Sequence, residues 1–293
     1  MREVFIKLHI SILLAGITGL FGKLINLQEG LLVWYRMLFA TLLFAFLLFL
    51  QKKLKFLPLK EILKISGIGF LLGLHWVFFY GSIKASNISI GVVCFSLTGF
   101  FTAFLEPLLN RHAVSLKEVL FSLLTLAGIV LIFHLDTRYR LGIGLGIVSS
   151  ALAALFTITN KKIRQRHNAN TLLLFEMGGG FIGLSFILPF YLYYFPVQSV
   201  FPDKSDFIYL LLLASFCTIG LYLLQIQVLN KISAFTVNLS YNLEPLYSIL
   251  LAMLFFNEAQ ELNTSFYLGL GLILLSVLLQ SCQVLYANRF RTL

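Results

Sequence analysis

The sequence predicts an all-α integral membrane protein of ten transmembrane helices, and three observations carry that prediction. The 293 residues are 59% hydrophobic and 12% charged, with a mean hydropathy of +0.92. Soluble domains stand at about 45–50% apolar and about 25% charged, so this chain has more apolar surface than a water-borne core could bury. Ten apolar windows, each long enough for a helix to cross roughly 30 Å of hydrocarbon, fall near 8–26, 30–50, 62–82, 87–109, 116–134, 141–159, 171–195, 207–228, 234–256 and 266–286. With the N-terminus inside, sixteen of the 22 lysines and arginines face one side and five the other, leaving Arg36 within a span. This is the positive-inside pattern, and it predicts that both termini are cytoplasmic.

The first window follows a short basic start and lacks a small-x-small cleavage site, so it reads as an uncleaved span and not as a signal peptide. The longest connection, "FPVQSVFPDKSDF", carries two prolines and reads as a loop. No soluble domain is inserted between windows. Cys94, Cys217 and Cys282 all lie in apolar runs and read as packing residues. The net charge of +10 is accounted for by the loops, so no nucleic-acid partner is expected. His9, His75, His112, His134 and His167 are scattered without metal-ligand spacing, and "GIGLG" at 142–146 lies inside a span. A membrane oxidase, desaturase, metalloprotease or ATPase is therefore not expected, nor is a resident cofactor.

Ten spans suggest two halves of five, 1–138 and 139–293. An odd number of spans per half places the halves in opposite orientations, as in many secondary transporters. Sliding the chain by 147 residues brings "KASNIS" onto "KISAFT" and Asn110 onto Asn257. The Glu-Pro pairs at 106–107 and 244–245 do not align in that register and are not one repeated motif.

Each ionisable side chain at membrane depth costs about 2.5–3.5 kcal/mol at a helix centre, so each is a functional candidate. Glu244 lies about halfway along the ninth window. At 100° per residue, Asn238, Tyr241, Asn242, Pro245, Ser248 and Ala252 share a face with Glu244 at its edge, opposite a face of leucines. Pro245 lacks an N–H, which would free the carbonyl of Tyr241, and a freed carbonyl at this depth needs protein or a wet cavity. Arg36 either snorkels outward or faces a cavity, where it would bind a substrate carboxylate or Glu244. Glu176 either snorkels toward the cytoplasmic side or turns inward, and its neighbouring glycines indicate close helix contact. In the third window Ser66, Gly69, Gly73, Trp76 and Tyr80 form a stripe; His75 lies about 140° away from its centre. Glu106 is close enough to its helix end to reach the headgroups.

"GLHWVFFYGSIKASNISIGVV", "TAFLEPLL", "LFTITNKK", "LFEMGGG" and "KISAFTVNLSYNLEPLYSILLAMLFFNE" together resemble the EamA family of the drug/metabolite transporter superfamily, in a Bacteroidetes-like form. The resemblance implies two inverted five-helix repeats around a central cavity, alternating access, and a secondary carrier of the bacterial inner membrane that exports amino acids or other small metabolites. It places the family's second-span arginine at Arg36, its His-Trp pair at His75 and Trp76, and its Asn-Leu-Glu-Pro block at Asn242, Leu243, Glu244 and Pro245. Where relatives have a fourth-span proline this chain has Gly99, which supplies flexibility without a fixed kink.

The expected protein is thus a secondary transporter, with a small-molecule substrate and the lipid bilayer as partners, acting as a monomer or homodimer. Its site would be Glu244, Asn242, Asn238, Tyr241, Arg36, His75, Trp76, Tyr80 and Glu176, with Glu244 open to proton coupling. A nucleotide-sugar or sugar-phosphate exchanger would need several cavity-facing cations, and Arg36 is the one clear candidate. A structural or sensory membrane protein would instead pack these polar faces dry.

Overall fold

A computed structural model describes residues 2–289 except 112, 114, 115, 135–138, 165, 230, 232–239 and 242. Its α-helices are α1 (Arg2–Leu24), α2 (Glu29–Leu50), α3 (Leu59–Ala85), α4 (Ile88–Phe95), α5 (Thr98–Asn110), α6 (Leu116–His134), α7 (Arg140–Arg164), α8 (Ala169–Tyr194), α9 (Lys204–Ala214), α10 (Leu221–Leu229), α11 (Glu244–Phe256) and α12 (Thr264–Arg289). A π-helical segment, Ser215–Gly220, joins α9 to α10, and a 3₁₀ turn, Glu258–Gln260, follows α11. There is no β-strand among the described residues.

Among the described residues, seven helical stretches are long and apolar enough to cross a membrane: 2–24, 29–50, 59–85, 88–110, 140–164, 169–194 and 204–225. Three shorter apolar helices, at 119–132, 244–256 and 264–276, lie in the fifth, ninth and tenth predicted windows. Large apolar side chains such as Phe46, Phe186, Phe190, Leu254 and Leu268 are more than half exposed, which suits a lipid-facing surface and not a wet one. The protein is a multi-pass, all-helical membrane protein.

Short polar side chains start several helices by accepting N–H groups that have no partner in the first turn. Asn87 accepts from Ile90 N at 2.9 Å, Asn168 from Asn170 N at 2.7 Å and Asp203 from Asp206 N at 2.7 Å. The backbone bond from Asp206 N is also the main reason the Asp203 carboxyl sits below its usual range.

Two predicted spans are broken near their middles. The fourth splits between α4 and α5 at Ser96–Leu97, just before Gly99, so the interruption forms here without a proline. In the ninth, Ser240 and Tyr241 are helical, Leu243 is in a turn and α11 begins at Glu244. Pro245 therefore lies in the first turn of a helix, where its missing N–H is not needed. This corrects the expectation of a proline inside a continuous helix. The two half-helices α5 and α11 are both 13 residues long, and the residue after each, Arg111 or Asn257, is left-handed at φ 55 or 54. Such a residue closes a helix by bonding its last carbonyls.

Helix α3 is wedged between α7 and α8; α1 lies on α10 and α11, α2 on α8, and α6 on α12. Glycines allow these approaches, because small residues bring helix backbones together in lipid. A Cβ on Gly69 would overlap the carbonyl of Glu176, and one on Gly179 would overlap Ser66. Gly67, two residues earlier in α3, has nothing within 4 Å of its would-be Cβ. Gly69→Ala is expected to lower stability by about 1–3 kcal/mol or more through overpacking, whereas Gly67→Ala should be neutral or gain up to about 1 kcal/mol. Thermal melting of the two detergent-solubilised variants side by side checks this.

Candidate functional site

Arg36 lies seven residues into α2, about 10 Å below its end at 1.5 Å per residue. Its side chain does not snorkel; the residue is 2% exposed. Nε donates to Thr218 Oγ1 at 3.1 Å and Nη1 to Tyr80 Oη at 3.0 Å. The guanidinium also lies over the Trp76 ring, 3.6 Å from its centre. A desolvated cation–π contact of this kind is worth about 2 kcal/mol. Tyr80 in turn donates to the carbonyl of Thr18 in α1 at 3.3 Å. Three spans therefore meet at one guanidinium and a fourth, α1, joins through Tyr80; the guanidinium makes no ion pair with any acid among the described residues. Two of its five N–H donors are used, and the others have no partner there.

The π-helical segment explains the position of Thr218. Its hydroxyl donates to Leu213 O, five residues back, at 3.0 Å while accepting from Arg36. Single π turns inside α-helices occur disproportionately at functional sites. Thr218→Val keeps the shape and removes the acceptor, leaving the Arg36 Nε–H buried and unpaired. A stability loss of about 1–3 kcal/mol is expected, measurable by thermal melting in detergent.

His75 is buried and turns away from this group toward α7. Its Nδ1 lies 3.0 Å from Ser149 O and 2.9 Å from Ser149 Oγ, while the Ser149 hydroxyl donates to His75 O at 3.1 Å. A carbonyl can only accept, so Nδ1 carries the proton and Nε2 is a bare acceptor in the neutral ring. Phe79 and Phe95 lie against the imidazole, with ring centres 6.1 and 5.3 Å away.

Glu244, the first residue of α11, is half-buried and has no hydrogen-bond or ion-pair partner among the described residues. It is twelve residues from Phe256, about 18 Å from that end of the helix, and so at mid-depth. Its backbone carbonyl lies beside Gly16 of α1, and Ser248, one turn on, donates to Gly16 O at 2.7 Å. Tyr241 is half-buried, and its hydroxyl faces Ser11 of α1 without a hydrogen bond. The Ser11 hydroxyl is instead committed to Leu8 O at 2.7 Å. Asn238 and Asn242 lie outside the described residues.

Glu176 is 3% exposed and therefore does not snorkel. It faces Asn160 and Arg164 of α7, about 10 Å from the start of α8. Glu106 reaches Lys161 at 2.8 Å near the same end.

The structure thus brings Arg36, Trp76 and Tyr80 together and sets His75 on the other side of α3. Glu244 with Tyr241, and Glu176, stand in separate places, and Arg36 does not pair with Glu244. Thr218, Ser149 and Thr18 were not singled out from the sequence. Thr218 carried the one available signal, a hydroxyl in the apolar run "FCTIG", whereas Thr18 takes part through its carbonyl.

Spans packed through glycines around buried charges define a polytopic α-helical membrane protein. The chain belongs to the EamA-like transporter family, whose sequence profile matches residues 5–134 and again 140–282. An uncharacterized transporter, YxxF, of Bacillus subtilis (strain 168) is 26% identical over 280 residues, covering 92% of this chain and 86% of that one. An uncharacterized transporter of Archaeoglobus fulgidus is 27% identical over 244 residues, covering 83% of this chain and 84% of that one. One crystal structure superposes with a TM-score of 0.63 at 16% identity, over 99% of both chains, which is a likeness of fold alone.

Proposed function

We propose that this protein is a ten-span secondary active transporter that exports a small polar or amphipathic, amino-acid-like metabolite by alternating access. It would act in the bacterial inner membrane, as a monomer or homodimer, with both termini cytoplasmic. Two inverted repeats, 1–138 and 139–293, would rock about a site near mid-membrane.

Several features support the repeats. The family profile matches once in each half. The equal half-helices α5 and α11 break after Leu97 and Leu243 and end in left-handed Arg111 and Asn257, one residue away from the 147-residue slide. In that register Gly99 corresponds to Pro245.

The observation that carries the substrate class is the buried Arg36 guanidinium, stacked on Trp76 and held by neutral oxygens with no acid among the described residues. An isolated buried cation is costly, and a planar fork with free donors matches a carboxylate. Trp76 would offer its ring to an amphipathic body, and Glu244 would serve as the coupling or amine-facing carboxylate. Asn238, Tyr241, Asn242, His75, Tyr80 and Glu176 complete the proposed set.

A thermal-stability screen of purified protein against amino acids, other small carboxylates, amines and sugar phosphates tests this, since a ligand stabilises by mass action. Stabilisation confined to carboxylate-bearing compounds is expected. A response to sugar phosphates alone would instead favour the exchanger reading.

A further inference from the structure

One end of the molecule carries the connections 25–28, 86–87, 195–203 and 257–263. There, buried acids of one proposed repeat hold backbone of the other. Glu258 is fully buried. Its Oε1 accepts from Ile88 N at 2.9 Å and faces Lys23 Nζ at 3.4 Å. Its Oε2 accepts from Ser89 N at 2.9 Å and from Ser89 Oγ at 2.7 Å. The carboxylate thus sits on the first turn of α4, where the free N–H groups and the helix dipole favour a negative charge. Asp206, 2% exposed, accepts from Asn26 N at 2.8 Å and Leu27 N at 3.1 Å. Tyr191 donates to Glu29 at 2.7 Å, and Asn87 donates to Glu261 at 3.2 Å.

At the opposite end, the side-chain contacts between the halves among the described residues are of another kind. Lys161–Glu106 is an ion pair with the lysine side chain 66% exposed, and His167 meets Glu61 at 3.2 Å. The exposed Lys161–Glu106 pair contributes little, and His167–Glu61 is one part-buried side-chain contact. Among the described residues, the buried carboxylates that accept backbone N–H groups across the halves therefore gather at the first end, while the mid-depth contacts His75–Ser149, Arg36–Thr218 and Ser248–Gly16 involve no acid.

We propose that Glu258 is the principal latch of a gate at this end, seconded by Asp206, and that the transport cycle opens the gate by drawing Glu258 off the first turn of α4. This rests on the alternating-access reading above. The latch lies at the helix ends, so the donors it releases on opening would meet water and not lipid. Glu258→Gln is the informative change: an amide presents one acceptor and one donor to two N–H groups, so one of them is left facing a like dipole.

The test is a pair of spin-label distances in the full chain, with the exposed Cys282 changed to Ser and the buried Cys94 and Cys217 retained. Labels at Asn26 and Gln260 span the latched end; labels at Lys55 and Arg166 span the other. All four positions are exposed. Glu258→Gln is expected to raise a longer-distance population at the first pair about tenfold, the change that losing one charge-assisted hydrogen bond brings. The second pair must shorten in the same variant. Unchanged distances overturn the proposal, and so does lengthening at the first pair alone, which is local fraying. If Glu258→Gln does not fold, Ser89→Ala removes a single bond and is read in the same way. These distances need no substrate: a chain that shows the reciprocal shift but transports nothing keeps the latch and loses the transport reading.

Discussion

Glu244→Gln is expected to reduce gradient-driven transport in proteoliposomes about 100-fold while leaving ligand binding in detergent within a few-fold of the parent. The size follows from the cost of a charge at this depth, about 2.5–3.5 kcal/mol, which a carboxylate avoids by taking up a proton and an amide cannot modulate. Glu244 is suited to such an exchange. It begins α11 at the interruption of the ninth span, and no cation among the described residues holds it ionised. The Gly16 approach places α1 beside it, so motion of α1 against α11 would change its surroundings. With a glutamine there, the remaining flux should no longer respond to the pH gradient. A Glu244→Gln protein with the parent's rate and pH dependence would remove Glu244 from the coupling role.

Arg36 gives the second large effect, and its sign separates function from packing. Removing one member of a buried charge pair costs about 2–5 kcal/mol in binding, so Arg36→Met should weaken the ligand found by thermal screening by roughly 30-fold to several thousand-fold. The same change removes an isolated buried cation, whose desolvation is costly, and leaves the Thr218 and Tyr80 hydroxyls still donating to Leu213 O and Thr18 O. The unliganded variant is therefore expected to melt at or above the parent's temperature. If Arg36 only ties α2 to α3 and the π-helical segment, Arg36→Met should melt lower instead. Arg36→Lys keeps the charge but loses the planar stack on Trp76 and the fork, so it should restore little of the binding.

The spans were legible because lipid imposes one rule on long apolar runs: every backbone group must be satisfied inside the segment. The seven long helical stretches and the three shorter ones fall in the predicted windows for that reason. The stripe Ser66, Gly69, Gly73, Trp76 and Tyr80 was legible as a face, and the structure divides it between glycine packing on α8 and the aromatic wall at Arg36. Breaks were harder to read. A proline suggests a kink within a helix, yet Pro245 lies at a helix start, and the fourth span breaks before a glycine that did not require it. Partners were harder still. That Thr218 would meet Arg36 depends on a π turn, and that Glu258 would cap α4 depends on two segments 169 residues apart in sequence. Neither follows from periodicity within one helix.

The most direct test of the account is counterflow in proteoliposomes, using a carboxylate-bearing ligand from the thermal screen with the parent and with Arg36→Lys. The account predicts saturable accumulation by the parent, no accumulation of the ligand's decarboxylated analogue, and at least tenfold slower flux in Arg36→Lys. Equal transport of the analogue, or an Arg36→Lys protein as fast as the parent, would contradict it.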